Sequence, residues 1–207
     1  MATASKKKMK RMTALTAIIT LVSFLYKLGM GIYGMSLVLI IASISTLMVF
    51  ICKVAFVKAV TKTRAAKKKS YLFMTIATLV YSLIFLCFIV LKIFDIDISS
   101  QKTYEGWIGI LLIAFMIIMF VLSIINLKGA LEKTDLMVIG LKEITFISAL
   151  ADLVIIEAFL YGVYLEYQEP LEVLVKVNDY FPLGVAGVML LTVGIMFIRY
   201  KRYETTN

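Results

Sequence analysis

The stretch ITFISALADLVIIEAFLYGVY, Ile144–Tyr164, decides the fold class of this chain. At 1.5 Å per residue it is long enough to cross the roughly 30 Å hydrocarbon core of a bilayer as one α-helix. Yet it carries two carboxylates, Asp152 and Glu157. A charge at mid-bilayer costs roughly 2.5–3.5 kcal/mol on insertion scales, so such residues face a partner or a wet cavity rather than lipid. Both mark the interior of a helical membrane protein and are candidate transport residues.

Five similar runs accompany it, and the spans read as Met12–Ile32, Met35–Val57, Tyr71–Phe94, Trp107–Leu127, Ile144–Tyr164 and Phe181–Ile198. The 207 residues are 62% hydrophobic, with a mean hydropathy of +0.98, well above the roughly 45–50% apolar content of soluble domains. Backbone polar groups in lipid must be satisfied internally, which leaves helices or closed barrels. Continuous runs of this length argue against the short alternating strands of a barrel. The expected fold is all-α, a bundle of six transmembrane helices forming a single transmembrane domain over residues 1–207, with no folded soluble domain. Neither Pro170 nor Pro182 is expected to interrupt a span, since both lie in or beside the last loop.

The first two spans turn so tightly at Tyr33-Gly34 that they should form an antiparallel hairpin. Gly29, Gly31 and Gly34 spell GxGxxG, but no strand precedes them and no acidic ribose partner follows, so close helix packing or a turn is the better account. A parallel hairpin repeat is suggested by Gly34, Leu39 and Ala42 matching Gly106, Leu111 and Ala114, and by Ala77–Val80 matching Ala151–Val154. The segment Lys128–Glu143 reads as an extension of the fifth helix or a short interfacial helix.

Basic residues set the orientation. Lys6, Lys7, Lys8, Lys10 and Arg11 form a basic tail, and seven more lie between Lys53 and Lys69. Lys128, Lys133 and Lys142, then Arg199, Lys201 and Arg202, fall on the same side. Positive residues favour the cytoplasm, so both termini are expected inside a multi-pass plasma-membrane protein. The other side is acidic, with Asp95, Asp97, Glu105, Glu166, Glu169, Glu172 and Asp179, and holds a belt of Tyr104, Trp107, Tyr161, Tyr164, Tyr167 and Tyr180. The net charge of +9 is therefore topology and gives no reason to expect nucleic acid. Lys67–Lys69 could also meet anionic headgroups.

Lys27 is the third candidate. It lies about 22 Å above the start of its span, level with Glu157 at about 20 Å, whereas Asp152 is at about 12 Å. Two readings compete for Lys27, an ion pair with Glu157 and snorkelling to the outer interface. Asp152, with no base at its depth, is expected to hydrogen-bond a hydroxyl such as Thr78, Tyr81 or Ser82. Asp152 and Glu157 point about 140° apart around the helix, so one narrow site holding both is not expected. Cys52 and Cys87 lie at different depths and read as buried thiols without a disulfide.

Catalysis has little support. The chain has no histidine, no CxxC, no pair of intramembrane aspartates and no phosphate-cradling GxxxxGK[ST]. No enzyme, cofactor or metal is expected. The stretch Ser123–Lys128 followed by Gly140–Leu150, together with Lys27, Gly31 and Ser36, resembles a group of small uncharacterised bacterial multi-span membrane proteins, though with Leu-Lys-Glu in place of Ile-Lys. The resemblance covers about half the chain and implies a bacterial plasma membrane with no assigned activity. The function expected is transport, by a channel-forming oligomer or compact secondary transporter, of a small cation or proton-coupled solute. The competing reading is a non-catalytic subunit, assembly factor or regulator of a larger membrane complex. Expected partners are the lipid bilayer and either a second copy or another membrane protein.

Overall fold

The computed structural model describes residues 2–34, 37–93, 107–132, 135–167 and 171–205. They form six α-helices: α1 (Ala2–Tyr33), α2 (Leu37–Ala59), α3 (Arg64–Ile93), α4 (Trp107–Leu131), α5 (Leu136–Tyr167) and α6 (Glu172–Thr205). No strand occurs among the described residues. Five of the helices contain segments long and apolar enough to cross a membrane, and the described part of α4 adds a shorter apolar stretch, Met116–Leu131. Asp95, Asp97, Tyr104, Glu105, Lys133, Glu169 and Pro170 lie outside the described residues, as do the side chains of Glu166 and Tyr167.

Local chemistry explains the corners. α1 stops where the Gly34 amide donates to the Met30 carbonyl at 2.9 Å. A Cβ on Gly31 would lie 2.9 Å from Ile40 and 3.3 Å from Leu39, so bare backbone is what lets α2 fold back onto α1. Gly29, by contrast, faces open space. The α2–α3 turn is only four residues long, so Lys67–Lys69 stand on the opening turns of α3. There the Arg64 guanidinium lies 4.4 Å from the Tyr203 ring centroid and Lys68 lies 5.2 Å from that of Tyr200. The basic run thus docks the end of α6 onto the start of α3.

α5 begins earlier than the apolar run suggests. Asp135 caps it, with Oδ1 accepting from the Met137 amide at 3.1 Å while Oδ2 holds Lys67 at 2.8 Å. The ambiguous segment is therefore part of one continuous 32-residue helix.

α6 also begins before Phe181, which corrects the expectation about Pro182: it lies inside a 34-residue helix. Proline lacks the N–H that would bond the carbonyl four residues back, here that of Asn178. Lys92 of α3 takes up the slack, its Nζ donating to the Asn178 carbonyl at 3.4 Å and to Oδ1 at 3.2 Å. An apolar helix tolerates the proline because a neighbour re-satisfies the freed acceptor.

α5 packs against α2, α3, α4 and α6 and is the axis of the bundle. α2, α3, α5 and α6 enclose the core, where Phe56, Tyr71, Met74, Ile144, Ile147, Met189 and Met196 are fully buried. Gly140 belongs to it, since a Cβ there would come within 2.7 Å of the Tyr71 ring. In close backbone approach among the described residues, α1 leans on α2 alone and α4 on α5 alone. Outward faces are apolar, with Ile18, Val22, Leu83, Ile117, Leu191 and Ile195 exposed, as lipid contact requires. Cys52 is buried as expected, but Cys87 is exposed on such a face, and both are free thiols.

Candidate functional site

α1 carries Thr13, Thr16, Thr20, Ser23 and Lys27 at alternating spacings of three and four, so they share one helical face. α5 carries Thr145, Ser148 and Asp152 in the same rhythm, and α2 offers Thr46 and Lys53 two turns apart. The fold brings these three stripes together. Thr20, Ser23, Lys27, Thr46, Lys53, Thr145, Ser148 and Asp152 line a half-open cavity of about 100 Å³, closed on the fourth side by Met119 of α4.

The cavity exists because α1 and α5 make no close backbone approach among the described residues. A lysine spans the gap: Lys27 Nζ donates to Asp152 Oδ1 at 2.6 Å, with side chains 7% and 13% exposed. This corrects two expectations. Lys27 neither pairs with Glu157 nor snorkels, and Asp152 has a basic partner. The depth argument failed because it took the starts of the two apolar runs as one common level. α1 begins at Ala2 and α5 at Leu136, ahead of Met12 and Ile144, so equal rise from those two residues does not mean equal depth. Of the hydroxyls expected near Asp152, Thr78 donates to the Met74 carbonyl at 2.7 Å instead. The Tyr81 hydroxyl is placed against Ser45 and within electrostatic reach of Asp152, while the Ser82 hydroxyl has no hydrogen-bond partner among the described residues.

The other end of the cavity is governed by Lys53, which the sequence reading counted only as a topology signal. Its Nζ donates to the Thr20 hydroxyl at 2.5 Å and to the Thr16 carbonyl at 3.2 Å. Neither partner is charged. The ionised group it senses is Lys142, of its own sign. Polar periodicity on α1 was the signal that could have found this face, hidden because threonine and serine barely disturb a hydropathy average. Between the two lysines, Ser45 and Ser148 bridge α2 and α5 at 3.1 Å.

Glu157 stands apart, as the angular argument expects. One of its carboxylate oxygens is buried without a hydrogen-bond partner among the described residues, and its charged neighbours are Lys92 and Asp179. Sequence reasoning also missed a third polar cluster. Glu143, 2% exposed, accepts from Arg199 and lies 3.2 Å from the Tyr71 hydroxyl, which is itself 3.4 Å from the Met196 carbonyl. This cluster ties α3, α5 and α6 together. No group of His, Cys, Asp and Glu suited to a metal occurs among the described residues.

Apolar spanning helices around a buried ion pair and a polar cavity define the class: a helical membrane protein with an ionisable interior. No protein-family model, no curated protein and no solved structure matches the chain.

Proposed function

We propose that the protein is a small membrane transport protein whose solute path runs through the cavity between α1, α2, α4 and α5. One observation carries the reading: hydroxyls, two lysines and an aspartate converge on a half-open space within the apolar lengths of the helices. Intramembrane ionisable groups are expensive and most often line substrate or ion routes. α4 completes six spans in this reading, and the basic end with both termini faces the cytoplasm of a bacterial plasma membrane. α1 and α4 flank the cavity on the outside of the bundle, so movement of either relative to α2 and α5 would open it to one side or the other.

Charge distinguishes the solutes. Asp152 is spent on Lys27 and Lys53 has no acidic partner among the described residues, so the cavity disfavours a bare small cation. A solute that carries its own acceptors, moved alone or with a proton, suits it better.

The test is solute and proton flux in proteoliposomes, comparing wild type with Asp152→Asn and Glu157→Gln at equal incorporation. Flux abolished by Asp152→Asn and retained by Glu157→Gln supports the route. Silence from wild type, with the protein folded, removes the transport reading and moves the assignment to a subunit of a larger membrane complex.

A further inference from the structure

Lys53 is a cation inside the apolar length of α2, and its counter-charge is missing from the described residues. Lys27 and Asp152 neutralise each other at 2.6 Å. They cannot also serve Lys53: α1 meets Lys53 at Thr20, seven residues before Lys27, which puts the two lysines about 10 Å apart along the bundle. A half-buried ammonium held only by neutral oxygens costs free energy that a bound anion would offset.

Donor inventory points the same way. An ammonium has three N–H groups. Lys53 spends two, on Thr16 and Thr20, leaving one. Lys27 spends one on Asp152, leaving two. The hydroxyl hydrogens of Thr20, Thr46 and Thr145 turn back onto their own helix carbonyls at 2.7, 3.2 and 2.8 Å. The unspent donors at the cavity are therefore ammonium N–H groups, with the Ser23 hydroxyl between them. At roughly 30 Å³ per water, a cavity of about 100 Å³ holds the equivalent of about three waters. That is room for an anionic headgroup of a few heavy atoms.

We propose that this cavity binds one small monovalent oxyanion, a carboxylate or a phosphate group, against the Lys53 ammonium. The inference names the solute class for the transport reading and rests on the same cavity. A free anion from water and the phosphate of a lipid headgroup share this chemistry, and a half-open cavity admits either.

The experiment uses the full chain in phosphatidylcholine nanodiscs, with binding of radiolabelled acetate and of inorganic phosphate followed by equilibrium dialysis. A second arm replaces part of the lipid with phosphatidylglycerol and reads the thermal midpoint. Lys53→Gln is compared with Lys53→Arg and with the exposed-residue control Lys62→Gln. Saturable binding of either free anion, weakened at least tenfold in Lys53→Gln and kept in the other two, supports the proposal with a soluble source. A phosphatidylglycerol-dependent rise in midpoint lost only in Lys53→Gln, without free-anion binding, supports it with a lipid source. No response in either arm, or a response indifferent to Lys53→Gln, overturns it. Should Lys53→Gln fail to fold, Ser23→Leu, which narrows the cavity without changing charge, must weaken the same signal at least tenfold, and unchanged binding overturns the proposal. Binding without flux would leave this inference standing and remove the transport reading; flux without anion binding would do the reverse.

Discussion

Lys27 shows what a buried charge demands. Its stem crosses the space between α1 and α5 to reach Asp152, and neither group has water enough to stand alone. Removing one partner of such a pair typically costs about 3–5 kcal/mol, because the other is stranded, whereas replacing both by apolar residues is often neutral. Lys27→Met is therefore expected to destabilise the folded protein by about 3 kcal/mol or more, and Lys27→Met with Asp152→Leu to recover most of it. A double-mutant cycle of unfolding in mixed micelles checks this; additive losses would mean that the pair is not coupled. Glu143→Gln should cost about 1.5–3 kcal/mol through its weakened charge-assisted bonds, discounted for the partly exposed Arg199. Loosened packing of α6 against α5 would accompany it, read as faster hydrogen exchange around Met196. Asp152 was legible in the sequence because a carboxylate in an apolar run is conspicuous. Its partner was not, because rise along a helix gives depth only from a common level, and both helices start well before their apolar runs, α1 at Ala2 and α5 at Leu136.

Helix identity was the most legible level, since hydropathy alone separates the six elements. Their ends were not. The opening turns of α3, α5 and α6 are mixed in polarity and are held by contacts between elements, such as Lys67 with Asp135 and Arg64 over Tyr203. Pro182 is the clearest case. It reads as a loop residue until Lys92 is seen to satisfy the Asn178 carbonyl. Lys92→Met should leave that buried acceptor unpaired at a cost of about 1–3 kcal/mol. Hydrogen exchange would then accelerate by about tenfold or more in α6 before Pro182, while the half after it stays protected. Equal protection on both sides would show that the lysine does not support the helix. Gly140 offers a packing test. Gly140→Ala brings a methyl into the Tyr71 ring, and overpacking of this kind costs about 1–3 kcal/mol, measurable as a lowered thermal midpoint, whereas Gly187→Ala meets open space and should cost little.

On the scale of the molecule, α5 is the axis around which everything else is placed, and the cavity follows from its asymmetry. On one side α3 and α6 pack closely and lock through Glu143, Arg199 and Tyr71. On the other, α1 is held at the distance of a lysine side chain, with α4 standing opposite. The apolar exterior and the number of helices could be read directly from composition. The cavity could not, because it is built from hydroxyl stripes on three helices whose mutual facing only the fold decides. The central claim is that this space is the route of a solute. It is tested most directly by filling it: radiolabelled acetate flux in proteoliposomes containing wild type, Ser23→Phe or the lipid-facing control Leu83→Phe, at equal incorporation and verified folding. The account predicts acetate flux in wild type and Leu83→Phe and at least a tenfold loss in Ser23→Phe. Undiminished flux through Ser23→Phe would contradict it.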